Sequence, residues 1–133
     1  MKLFAGAREL LEVLHGKVKI GLASMNNSSV IMHLLEANGL EKLFDVVLTV
    51  ESISHSKPDP EIFLKTASNL KVCPEKCVVV EDSIFGVKAA KSANMGCVAV
   101  LTGVYSKEEL EEATPDLVVK TLKDKQIRYF ILR

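Results

Sequence analysis

Five short, nearly uninterrupted apolar runs are spaced along the chain, and the stretches between them carry apolar residues that return every three or four positions. A continuous or alternating run belongs to a strand, and a period near 3.6 belongs to a helix. Strands that are apolar throughout need cover on both faces, and strands separated by helices pair in parallel. The chain is therefore expected to be α/β, a three-layer α/β/α Rossmann-like parallel sheet. In such sheets the polar groups that do chemistry gather just past the carboxyl ends of the strands.

Leu3, Ala7, Leu10, Leu11 and Leu14 mark one face of a first helix ending near Gly16. Val18, Ile20 and Leu22 alternate as a strand that runs into a polar turn from Ala23 to Ser28. Val30, Ile31, Leu34 and Leu35 share a helix face, and Asn38-Gly39 stops that helix. Val46 to Val50 is the second strand. Asp59-Pro60 reads as N-cap plus first helical residue of a helix with Ile62, Phe63, Thr66, Ala67 and Leu70 on its buried side. Cys77 to Val80 is a strand, and the helix after it passes through Val87, Ala90 and Ala93 to end around Asn94-Met95-Gly96. Cys97 to Leu101 is the next strand. Ser106 and Glu109 pair as a capping box for a helix up to Ala113, and Leu117 to Val119 is a last short strand. The tail from Gln126 to Leu132 is apolar and reads as strand-like.

The chain has 133 residues, with 17 Lys plus Arg against 17 Asp plus Glu. Zero net charge removes the electrostatic case for nucleic acid or an anionic membrane surface as partner. At 48% hydrophobic and 26% charged residues the composition is globular, and one domain of this length buries a real core without a disulfide scaffold. Cys73, Cys77 and Cys97 are odd in number and lack zinc-site spacing, so they read as reduced thiols. With no apolar stretch near the roughly 20 residues of a membrane span and no signal-peptide core, a cytoplasmic protein is expected.

Three groups of polar residues follow three different strands: Ser24, then Lys57, then Glu81 with Asp82. Taken singly each has a plain explanation. A serine after a strand is usually a turn or cap residue, a loop lysine is usually solvated, and Asp82 or Ser83 suits a helix N-cap. Taken jointly they form an inventory for handling a phosphoryl group. Ser24 can donate to a phosphate oxygen and Lys57 supplies a compact positive charge. Two adjacent carboxylates without a cationic partner repel unless a hard cation joins them, and Mg²⁺ takes oxygen ligands from one or two carboxylates plus substrate phosphate.

Leu22-Ala23-Ser24, the run from Ser56 to Phe63 with its Lys-Pro-Asp-Pro, and the run from Val79 to Ala90 with its Glu-Asp-Ser-x-x-Gly-Val strongly resemble the second, third and fourth motifs of the haloacid dehalogenase superfamily. The β-phosphoglucomutase-like phosphatases and mutases are the nearest in pattern. The likeness extends from about Leu3 to Leu122, which divides the chain into a core at 1–122 and an apolar tail at 123–133. In that family an aspartate attacks the substrate phosphorus, and water or a second hydroxyl resolves the phospho-aspartate. The resemblance implies that Ser24 and Asn26 bind the phosphoryl group, that Lys57 neutralises charge between it and the nucleophile, and that Glu81 and Asp82 position Mg²⁺, with Asp82 the direct ligand. The implied substrate is a small phosphorylated metabolite such as a sugar phosphate.

The family's first motif, an Asp-x-Asp pair at the end of its first strand, does not occur in these residues. Asp45 precedes its strand and Asp59 is accounted for as a helix cap. The family places that first strand in mid-sheet, between the strands ending at Ala23 and Val80, so the sheet is expected to be incomplete there. Burying such a strand is worth on the order of 8 to 15 kcal/mol, comparable with the net stability of a domain. A complementing N-terminal segment, self-association through the open edges, or insertion of the tail from Ile127 to Leu132 would fill the gap; the plainer expectation for the tail is a terminal helix or strand packed on one side. The functional expectation is an Mg²⁺-dependent phosphatase or phosphomutase core, inactive alone. The alternative is a non-catalytic protein that uses the scaffold to bind a phosphorylated ligand or a partner. A phospho-receiver domain ranks last, because the order of its acidic residues does not match.

Overall fold

The computed structural model describes residues 4–133, so Leu3, expected on the first helix face, lies outside the described residues. Helices start where a side chain satisfies otherwise unpaired N–H groups. Helix α1 (Ala7–Leu14) follows Gly6. Helix α2 (Ser28–Asn38) begins at Asn27, whose Oδ1 accepts from the Val30 N–H at 2.9 Å, and ends at Gly39 in the left-handed conformation, φ 64°. Asp59 Oδ1 accepts from the Glu61 N–H at 2.9 Å at the start of α3 (Glu61–Leu70), one residue later than the sequence suggested. Ser83 Oγ accepts from the Gly86 N–H at 3.0 Å to open α4 (Ile84–Ser92). The expected capping box of Ser106 and Glu109 opens α5 (Lys107–Glu112).

The strands are β1 (Gly21–Ala23), β2 (Val46–Leu48), β3 (Val78–Glu81), β4 (Gly96–Val100) and β5 (Leu117–Val119). The second is shorter than expected, because Val50 already belongs to a 3-10 turn, Val50–Ser52. Strand β1 pairs in parallel with β2, Ala23 opposite Leu48. Strands β3, β4 and β5 form a second parallel ladder, Glu81 opposite Ala99 and Val100 opposite Val119. Among the described residues no ladder joins β1 to β3. The sheet is thus split where the missing strand was expected. Burial follows the split: β4 is buried from Cys97 to Val100, whereas β1 is half-buried or exposed and β3 is half-buried except at Val79.

Alternating side chains sort the strands onto two faces. Ala23, Val46, Leu48, Val79, Cys97, Ala99 and Val118 pack with α3, α4 and α5. On the other side Val78, Val80, Val98, Val100 and Val119 pack with α1, while Leu22 and Val47 pack with α2. These are the three layers.

The tail is not a strand. Residues Lys125–Leu132 form helix α6, capped by Asp124 Oδ1 accepting from the Gln126 N–H at 2.9 Å. Its Ile127 is fully buried beside Leu10 and Leu14 of α1 while Tyr129 is 67% exposed. Insertion of the tail into the gap is therefore overturned: the segment packs by one face onto the layer that holds α1. Its apolar residues at 127, 130 and 131 follow helical spacing, and the Asp124 cap decides between the two periods.

Candidate functional site

The candidate residues gather at the carboxyl ends of three strands, Ser24 and Asn26 just past β1, Lys57 on the loop after β2, and Glu81 and Asp82 at the end of β3. Ser24 follows β1, and its N–H still bonds the Leu48 carbonyl at 3.0 Å. Its Oγ accepts from the Asn26 N–H at 3.1 Å, which folds the turn back and holds Asn26 beside it at the exposed rim. The neighbouring loop is stitched to this turn. The Val50 N–H bonds the Asn26 carbonyl at 3.3 Å, and the Glu51 carboxylate accepts from the Ser28 N–H at 2.9 and 3.2 Å and from Thr49 Oγ1 at 2.7 Å. The Thr49 hydroxyl, more than the opposing burial, holds the Glu51 carboxyl below its ordinary range.

Lys57 follows β2 on a loop that returns to α3. Its Nζ lies 2.9 Å from Glu81 Oε2, the two side chains being only 11% and 13% exposed, and 4.9 Å from the centroid of the Phe63 ring. Glu81 is the last residue of β3 and shares the sheet face of Val79, which is why it meets a lysine that lies over α3. Glu81 Oε1 accepts from the Asp82 N–H at 3.2 Å and the Ser83 hydroxyl at 3.5 Å. The premise that the two adjacent carboxylates lack a cation is therefore corrected for Glu81, whose partner is Lys57. No side chain or backbone donor bonds the Asp82 carboxylate among the described residues. It lies against Gly103 after β4, where an added Cβ would stand 2.9 Å from Asp82 Oδ2.

The structure thus joins Lys57 to Glu81, and Ser24 to Asn26. Neither pair is hydrogen-bonded to the other, and the described residues hold no cluster of three or more His, Cys, Asp or Glu able to bind a metal. Of the acidic pair, Asp82 is the one free to meet a cation. A hollow of about 560 Å³ bounded by Leu101, Lys107, Lys120 and Lys123 lies beside β5 and includes none of the five candidates. Asp45 is placed as expected at the other end of the sheet, its Oδ2 accepting from the Ile20 N–H at 2.8 Å.

Residues 1–100 match the family described as haloacid dehalogenase-like hydrolase. The chain belongs to that family. This haloacid dehalogenase-like chain is 44% identical over 91 residues to the phosphorylated carbohydrates phosphatase of Thermotoga maritima, covering 68% of its own length and 42% of that relative. Among solved structures it is similar to the β-phosphoglucomutase of Clostridium difficile, with a TM-score of 0.82, 31% identity, and 96% of this chain covered against 54% of that one. It also resembles CbbY of Rhodobacter sphaeroides in complex with phosphate, with a TM-score of 0.83 and 27% identity, covering 92% of this chain and 56% of that one. The chain spans about half the length of these relatives. As a haloacid dehalogenase-like core it holds no helix long and apolar enough to cross a membrane among the described residues.

Residue-by-residue reading of the sequence passed over four neighbours of the site. Glu51 ties the first two loops together, Phe63 lies under Lys57, Gly86 makes room for Glu81, and Glu61 holds the loop that carries Lys57. Glu61 left a signal by standing four residues before Lys65 on one helix face, and Gly86 by its place in the Glu-Asp-Ser-x-x-Gly-Val run. The others matter through contacts between distant segments.

Proposed function

We propose that this chain is the phosphoryl-binding part of an Mg²⁺-dependent phosphatase or phosphomutase for small phosphorylated metabolites, sugar phosphates foremost. The observation that carries this reading is the Lys57 side chain, largely buried, with its ammonium held at the strand rim by Glu81. Phosphoryl transfer spreads negative charge over the equatorial oxygens, so it depends on a cation fixed in place and on donors aimed at those oxygens. In this reading Lys57 meets the charge between phosphoryl group and nucleophile, while Ser24 Oγ and Asn26 donate to phosphoryl oxygens. Glu81 keeps the ammonium in place.

The Asp82 carboxylate fits one coordination position of Mg²⁺, which when bound offsets the charge of the phosphoryl oxygens; the remaining ligands would come from substrate and from the segment that brings the nucleophile. That segment carries an Asp-x-Asp and occupies the space between β1 and β3. The name of the Thermotoga relative supports a carbohydrate phosphate. The three unpaired cysteines are in keeping with the cytoplasm.

The test is complementation. The chain alone is expected to release no phosphate from a panel of sugar phosphates, and adding a strand-forming segment with Asp-x-Asp is expected to restore Mg²⁺-dependent release that Lys57→Ala removes. Tight binding of the esters with no turnover under any complementation would instead establish the non-catalytic binder.

A further inference from the structure

Lys57 does not hold its own position. The peptide that leads into it, residues 52–55, has no strand or α-helix to belong to, yet it is fastened to the first two turns of α3. The Ser54 N–H donates to both Glu61 carboxylate oxygens at 3.1 and 3.0 Å, and the His55 N–H donates to Glu61 Oε1 at 2.8 Å. His55 Nδ1 lies 3.1 Å from the same oxygen, and Lys65 Nζ lies 3.1 Å from Oε2 while donating to the Ser52 carbonyl at 2.8 Å. The Glu61 side chain is only 16% exposed, although it sits on the surface end of the helix. Chiefly the Ser54 N–H, against an opposing contribution from burial and with help from Lys65 and His55, holds its carboxyl down at about 2.

Two residues beyond His55 comes Lys57, and the same helix supplies the Phe63 ring beneath its ammonium. Helix α3 therefore grips the loop before Lys57 with Glu61 and Lys65 and meets the lysine itself with Phe63. We infer that Glu61 is a positioning residue for Lys57: by anchoring the backbone of residues 54–55 to α3 it sets where the ammonium stands at the strand rim. The importance of this placement rests on the phosphoryl-binding reading, but the placement itself does not.

The experiment is NMR on the full chain. The Lys57 ε-methylene shift, displaced by the ring current of Phe63 and assigned by its loss in Lys57→Arg, reports the position of the ammonium. In Glu61→Ala it is expected to move to the ordinary lysine value, with Ser54 and His55 amides exchanging about tenfold faster or more and the chemical shifts of Val98 and Ala99 of β4 unchanged. Glu61→Gln, which keeps a carbonyl acceptor for both N–H groups, is expected to recover at least half of the shift. An unmoved Lys57 signal in Glu61→Ala overturns the inference. So does a Lys57 signal that moves together with the chemical shifts of Val98 and Ala99, which would make Glu61 a general stabiliser. No phosphate or metal enters the measurement, so a chain that binds no ester but behaves in this way refutes only the functional reading.

Discussion

Gly86 owes its place to the Glu81 side chain. A Cβ there would stand 1.9 Å from both Cγ and Cδ of Glu81, so alanine forces that side chain to swing away from Lys57. Overpacking at a well-filled site costs about 1–3 kcal/mol. Gly86→Ala is expected to lower stability by about that much by urea titration, although alanine favours a helix over glycine by about 1 kcal/mol. In a Glu81→Ala background the clash is gone, and the same substitution is expected to be neutral or stabilising by up to about 1 kcal/mol. Equal losses in both backgrounds would falsify this account. Ser24, Glu81 and Asp82 could be singled out in the sequence because hydroxyl and charged residues stand immediately after apolar runs, and Lys57 because its Lys-Pro-Asp-Pro run resembles a family motif. Gly86 and Glu61 could not be assigned a task that way, since one acts by what it lacks and the other by reaching backbone six and seven residues behind it.

At the scale of elements, local chemistry and periodicity were enough for most helices. Asn27, Ser83, Ser106 and Asp124 each cap a helix start, and Gly39 closes α2. The tail shows where a bare apolar run misleads. Its packing also makes it testable: Ile127 is fully buried against Leu10 and Leu14, in a layer that ties α1 to β4 and β5. Ile127→Ala is expected to cost about 2–5 kcal/mol, read as a lower urea midpoint, whereas Tyr129→Ala on the exposed side should change it little. Equal, small effects of the two would mean that α6 does not belong to the core.

At the scale of the whole molecule the sheet is two ladders roofed by a continuous set of helices: α3 packs on β1 and β2, and α4 on β3 and β4. Among the described residues each ladder keeps one strand edge unpaired next to the break, and such edges invite another strand. Hydrogen exchange is expected to follow the division. Amides of Val98 and Ala99 should open only with global unfolding, and those of Leu22 and Ala23 should exchange at least about tenfold faster. Uniform protection across both ladders would show that the break in pairing carries no energetic consequence.

What the sequence determined by itself was the alternation of elements, their parallel arrangement, the strand ends at which Ser24, Lys57, Glu81 and Asp82 stand, and the family. These follow from periodicity, caps and motifs that act over a few residues. Tertiary structure alone decided that Glu81 serves Lys57, that no lysine or arginine bonds Asp82 among the described residues, and that the tail packs on the layer of α1 and not in the gap between β1 and β3. Those outcomes depend on which distant side chains come within bonding distance once the layers pack, and no local pattern encodes that distance.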